Sequence, residues 1–196
     1  MEFDQELYGY VLDKAKSFEE SLDSRPVSPS SDSVKALEYF EEPLSASGSD
    51  AKSVIKMLHD VGEPGVVSSR GGRYYGFVTG GALPVSVAAN WTAGLWDQNG
   101  GPMVCSPTSA KLEEVSGSWV LELLDLPNSS GFGFVTGATM AGFTALSVAR
   151  HKICQNLGYD LKADGIINAP KIRFVMSEEI HPTNIIALQY MGYGKN

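Results

Sequence analysis

The stretch from Gly131 to Leu146, Gly-Phe-Gly-Phe-Val-Thr-Gly-Ala-Thr-Met-Ala-Gly-Phe-Thr-Ala-Leu, constrains this chain more than any other. Phe132 to Val135 reads as a short buried strand and Thr136-Gly137-Ala138-Thr139 as a tight turn. The small and apolar residues after the turn predict a helix to about Arg150. That order builds an anion site. A helix N-terminus offers unpaired N–H groups and the positive end of the dipole, while small residues let a phosphate approach the backbone. Thr136 and Thr139 add hydroxyl donors. The pattern alone is common to any α/β protein that turns a tight corner, and a histidine further along the chain gives it weight. Ile172 to Met176 predicts a second strand, and Ser177-Glu178-Glu179-Ile180-His181-Pro182 leaves its carboxyl end, the edge where open α/β sheets bind ligands. His181 is therefore expected to make a planar ring contact beside the phosphate turn.

Competing site readings are weaker. Gly131, Gly133 and Gly137 echo a dinucleotide fingerprint, but two of them precede the strand, whereas the fingerprint needs them after it. His59 and His151 have no companions at metal-ligand spacing, so no metal is expected. A net charge of −8 with 15 scattered Lys and Arg argues against nucleic acid and against an anionic membrane surface. From Tyr74 to Trp96 no residue is charged, yet Gly76, Gly80, Gly81, Pro84, Ser86, Asn90 and Thr92 break the segment too often for a membrane span. The acidic start, Met1-Glu2-Phe3-Asp4, lacks the basic and apolar regions of a signal peptide. Cys105 and Cys154 form no CxxC motif and are expected as free thiols in a reducing cytosol.

Along the chain, Phe3, Leu7, Val11 and Phe18 recur at helical spacing, predicting an amphipathic helix over 4–22 that faces a partner surface. A short helix around Val34–Phe40 and another from Lys52 to His59, closed by Gly62, complete a helical arm over residues 1–70. Ser106-Pro107 opens a further helix, with Leu112, Val115, Trp119, Val120, Leu123 and Leu124 as its buried stripe. Residues 158–170 read as a polar connection, and Pro182 to Tyr190 as a last helix ended by Gly192 and Gly194. Tyr74, Tyr75 and Trp96-Asp97-Gln98 are candidates for a substrate pocket, since such side chains combine an apolar wall with polar tips.

Four segments together resemble one family. They are Arg73-Tyr74-Tyr75-Gly76-Phe77-Val78-Thr79-Gly80-Gly81, Ser106-Pro107-Thr108-Ser109-Ala110-Lys111-Leu112-Glu113-Glu114, Thr136-Gly137-Ala138-Thr139-Met140-Ala141, and Glu179-Ile180-His181-Pro182. In this order they resemble the pyridoxal-phosphate-dependent group II amino acid decarboxylases, of the aspartate-aminotransferase-like fold. The resemblance implies an α/β fold: the N-terminal part of a fold type I large domain (71–196), its sheet incomplete, preceded by the helical arm. It implies that Gly137, Ala138 and Thr139 hold the phosphate of pyridoxal 5'-phosphate. His181 would stack on the pyridine ring and position the substrate, and Tyr74 and Tyr75 would bind substrate. It also implies a cytoplasmic homodimer in which the arm wraps the partner subunit.

The sequence departs from that family in one large respect. The family's Schiff-base lysine, in an Asp-x-His-Lys-like motif, and the aspartate that pairs with the pyridine nitrogen lie beyond the histidine motif, whereas these residues stop at Asn196. His151-Lys152 is a decoy, read with Arg150 as a basic helix end that suits the negative pole. The expectation is a truncated form of a decarboxylase acting on an L-amino acid, inactive on its own. The alternatives are a non-catalytic dimerisation partner, or a desulfurase or aminotransferase on the same fold. Gly142 is a smaller departure, since relatives commonly carry asparagine there and glycine inside a helix costs roughly 1 kcal/mol relative to alanine.

Overall fold

A computed structural model describes residues 3–194. The chain divides at Asp97/Gln98 into two compact units, Met1–Asp97 and Gln98–Asn196.

In the first unit, helices begin where short polar side chains can cap them. α1 (Gln5–Ser21) is capped by Asp4, whose carboxylate accepts the Leu7 amide at 2.9 Å. α2 (Ser31–Ala36) is capped by Ser30 and tightens into a 3₁₀ turn over Leu37–Phe40. α3 (Ala51–Met57) is capped by Asp50, then widens into a π turn over Leu58–Gly62. α4 (Pro84–Trp96) starts on its own proline, which has no amide to satisfy, and ends at Asp97 in the left-handed region. Between α3 and α4 the chain is held by hydrogen bonds to backbone. Buried Ser68 donates its hydroxyl to the Pro26 carbonyl at 2.9 Å, and Arg73 reaches the Arg25 carbonyl at 2.6 Å. Arg25 in turn donates to the Glu63 carbonyl at 3.0 Å and lies 4.4 Å from the centre of the Phe18 ring. The periodicity of α1 predicts one buried stripe, yet the helix contains no buried residue. Phe3 just before it is 67% exposed and stacks on Tyr8 instead.

The second unit holds the candidate site. α5 (Pro107–Leu123) begins at Ser106, as expected, but the Ser106 hydroxyl caps nothing, and Pro107 supplies a first residue that needs no cap. The buried residues of α5 are Gly117 and Leu121. The expected stripe lies mostly open, with Trp119 at 64% and Leu123 at 84% exposure, because no element of this unit covers that face. α6 (Ala138–Asn156) runs a turn and a half past its expected end, anchored by fully buried Cys154. Arg150-His151-Lys152 is thus helix interior and not the helix end that the sequence suggests. A single turn, α7 (Leu161–Asp164), interrupts the expected polar connection, and α8 (Pro182–Tyr190) comes after the loop that carries His181. α8 ends as expected at Gly192. Its φ of +88° lets the Gly192 and Tyr193 amides return to the Gln189 and Leu188 carbonyls, closing the helix end.

The two expected strands are corrected. Among the described residues there are eight α-helices and no strand, and 132–135 and 172–176 are extended without a ladder partner. A helix satisfies its amides internally, whereas a strand needs a neighbour, and none of the described residues supplies one. The accessible surface has the same origin. It is 15,599 Å², whereas two separate folded globules, each half of 21.0 kDa, would expose about 11,000 Å² together. Several thousand Å² of this chain's surface is of the kind that folded proteins cover.

Candidate cofactor site

The site is built by α6 and α8. A Cβ placed on Gly142, one turn into α6, would lie 3.3 Å from the Asn184 Oδ1, near the start of α8. Two turns further along, the Arg150 guanidinium donates to the carbonyl of Met191, the residue that ends α8, at 2.7 Å. Contacts near both starts and near the end of α8 mean that the helices run parallel. Their N-termini share one end, separated by about one helix spacing, roughly 8–10 Å. The Thr136–Thr139 turn and His181 are thus brought together, as the motif order requires of them.

The two N-termini differ in what satisfies them. α8 is capped by His181 itself: the ring Nδ1 accepts the Thr183 amide at 3.3 Å and lies 2.8 Å from the Thr183 hydroxyl. Accepting at Nδ1 leaves the proton of the neutral ring on Nε2, and the histidine is exposed. α6 has no such cap. Gly137 precedes it in a fully extended conformation, with φ 172° and ψ 176°, and no side chain bonds its first turn. Among the described α-helices it is the one that starts with neither a side-chain cap nor a proline. A Cβ on Gly137 would meet nothing within 4 Å, so the space before the open amides of Ala138, Thr139 and Met140 is free. Open amides, a positive dipole end and clear space fit a phosphate.

Lys152 is not at this end. It lies fourteen residues beyond Ala138, roughly 21 Å along the axis, and hydrogen-bonds Gln155 at 3.1 Å. Tyr74 and Tyr75 belong to the first unit. Tyr74 is half-buried, with its ring over Gly76, where a Cβ would meet the phenol oxygen at 2.9 Å, and Tyr75 is 91% exposed. Phe77 and Val78 come next with φ of +52° and +53°, a conformation that costs a β-branched residue on the order of 1–3 kcal/mol and that clusters at ligand-binding loops. Among the described residues no group of three His, Cys, Asp or Glu could hold a metal, and no helix is long and apolar enough to cross a membrane. Both cysteines are free thiols.

No protein-family model matches the chain. Two curated relatives do. An aromatic-L-amino-acid decarboxylase of Bacillus atrophaeus is 27% identical over 135 residues, covering 69% of this chain and 28% of the relative. An L-tyrosine/L-DOPA decarboxylase 2 of Lophophora williamsii is 23% identical over 157 residues, covering 76% and 30%. In three dimensions the crystal structure of Oryza sativa TDC with PLP matches 99% of this chain and 43% of its own, with a TM-score of 0.76 at 19% identity. The chain resembles part of a group II pyridoxal-phosphate decarboxylase. It spans under a third of the length of the curated relatives it matches.

Sequence reasoning misses two residues of this site. Gly117 receives the Phe132 ring, since a Cβ there would lie 2.0 Å from it. That contact seats the segment leading into the Thr136–Thr139 turn. The sequence signal is a glycine inside an otherwise regular helix. Arg150, in a basic run that suggests solvent, instead reaches across to α8.

Proposed function

We propose that this chain supplies the phosphate turn and the ring-facing histidine of a pyridoxal 5'-phosphate-dependent L-amino acid decarboxylase. The observation that carries the reading is the convergence of one uncapped helix start and one exposed imidazole at the same end of a parallel helix pair. When bound, pyridoxal phosphate supplies the electron sink that lets carbon dioxide leave. The amides of Ala138 and Thr139 and the Thr139 hydroxyl would hold its phosphate, with Gly137 leaving room for it. His181, its Nδ1 engaged by Thr183, would present a ring face to the cofactor and the Nε2 proton to the substrate. Tyr74 and Tyr75, in the first unit, would bind substrate, and the names of the relatives favour an aromatic amino acid.

In this reading residues 1–70 are the arm and 71–196 the first part of the cofactor-binding domain, whose sheet other residues complete. The working unit is a cytoplasmic homodimer. The lysine that anchors the cofactor is not assigned among these residues, so the 196 residues alone are expected to release no carbon dioxide above free cofactor. Equilibrium dialysis against pyridoxal phosphate tests the reading. Thr139→Val with His181→Ala should weaken binding by at least tenfold and excess inorganic phosphate should compete, whereas equal binding by the double variant would sink it. A second reading, a non-catalytic dimerisation partner, is favoured by the large exposed surface. It predicts binding to a full-length relative with no effect of His181→Ala.

A further inference from the structure

His181 sits between two segments that meet through one pair of rings, and a side chain of α6 holds the second of them. The extended segment before it contains Phe174, and the helix after it ends at Met191 and Tyr193. The Phe174 and Tyr193 rings meet edge to face with centroids 4.8 Å apart, so the chain closes on itself around the histidine loop. The Arg150 guanidinium lies 5.9 Å from the centre of the Tyr193 ring and donates to the Met191 carbonyl at 2.7 Å. The buried apolar residues of the two helices are Cys154 and Ala187, both fully buried, and Leu188, nearly so, and Asn184 lies against Gly142 near the helix starts. Dispersion and apolar burial are non-directional and would tolerate sliding along the helix axes. The guanidinium of Arg150, planar and donating from one nitrogen to a carbonyl at the negative end of α8, is directional.

We propose that Arg150 is a positioning residue: by fixing the end of α8 and the ring on Phe174, it sets the axial register of α8 on α6. That register fixes the distance of His181 from the Thr136–Thr139 turn. The inference rests on the proposed cofactor site for its functional consequence, though not for its structural one. α8 is short and rigid, so a shift at Met191 passes along the helix to its N-cap. A displacement of about 1 Å at a reacting group, made from far away, can cost on the order of a hundredfold in rate.

The test uses the intact protein with and without pyridoxal phosphate, comparing Arg150→Met, Arg150→Lys, His181→Ala and the Arg150→Met/His181→Ala double variant. In the cofactor-free protein, the His181 imidazole resonance should move in Arg150→Met while that of His59, in the other unit, stays. With cofactor, the visible circular dichroism of the bound ring should change. The Kd for pyridoxal phosphate should rise about tenfold in Arg150→Met, about 1.4 kcal/mol. The double variant should bind no more weakly than His181→Ala, because Arg150 acts through the histidine. Should Arg150→Met fail to fold, Arg150→Lys keeps the charge and loses the fork, and should give the same pattern at smaller size. An unmoved His181 resonance, or an equal loss of pyridoxal phosphate affinity from Arg150→Met with and without His181, overturns the proposal. A moved resonance in a protein that binds no pyridoxal phosphate instead refutes the proposed function and leaves the Arg150 coupling standing.

Discussion

Replacing Gly117 by alanine sets two known effects against each other. Alanine is the better helix former by about 1 kcal/mol, and Gly117 lies inside α5, so propensity alone predicts stabilisation. The added Cβ, however, would sit 2.0, 2.3 and 2.4 Å from three carbons of the Phe132 ring, closer than any real contact. Either the ring is forced aside within its packing, at roughly 1–3 kcal/mol, or it leaves. Phe132 is already 45% exposed, so full release forfeits about half of a phenylalanine's burial, roughly 1–1.5 kcal/mol. Loss of the edge-to-face contact with Phe134, at 6.3 Å between centroids, adds about 0.5 kcal/mol or more. The clash outweighs the propensity gain, and Gly117→Ala should destabilise by a net ~1 kcal/mol. In a Phe132→Ala background the ring no longer opposes the new methyl, and the same substitution should stabilise by up to ~1 kcal/mol. Urea denaturation of the four proteins reads both, as midpoint shifts at constant slope. A higher midpoint for Gly117→Ala in the unmodified protein, or equal shifts in both backgrounds, would refute the reasoning.

Two further outcomes are expected. Hydrogen bonds from the Ser53 amide and hydroxyl hold the Asp50 carboxylate below its ordinary value of 3.8, and the ammonium of Lys56 does the same for Asp60. A depressed folded-state value means that each group's contribution is present above pH 3.8 and is lost as the pH falls through the lowered value. Helicity of the first unit should therefore fall in that acid window, and Asp50→Asn, which still caps but does not titrate there, should remove part of the dependence on circular dichroism. The excess exposed surface predicts that the isolated 196 residues associate or precipitate, and a monomer in sedimentation with a cooperative melt would contradict it.

The helices were legible because their signals are local. Periodicity outlined α1, Pro107 marked the start of α5 and Gly192 the end of α8, whereas Pro84, read as a break, opens α4, and α7 stands in an expected polar connection. That α6 and α8 start at the same end follows from the Gly142–Asn184 and Arg150–Met191 contacts, which join residues about 40 apart and leave no local trace in the sequence. What failed was non-local. Whether 132–135 becomes a strand depends on a partner that sequence spacing cannot supply, and whether Leu123 is buried depends on what lies over α5. Arg150 illustrates the same limit from the other side. Its position among basic residues suggests solvent, but its partner is a backbone carbonyl 41 residues away, invisible to any local pattern.

The parallel course of α6 and α8 has an electrostatic consequence. Each helix presents the equivalent of about half an elementary charge at its ends, and side-by-side parallel packing sets like poles next to each other. At the carboxyl end the guanidinium of Arg150 offsets the negative pole of α8. At the amino end the imidazole of His181 caps one helix and no side chain caps the other, so the two positive poles stand side by side without a counter-charge between them. An arriving dianion relaxes that repulsion as well as filling the turn, so cofactor binding and helix packing should strengthen each other. The ligand would thereby act as a structural counter-ion for the unit that holds it.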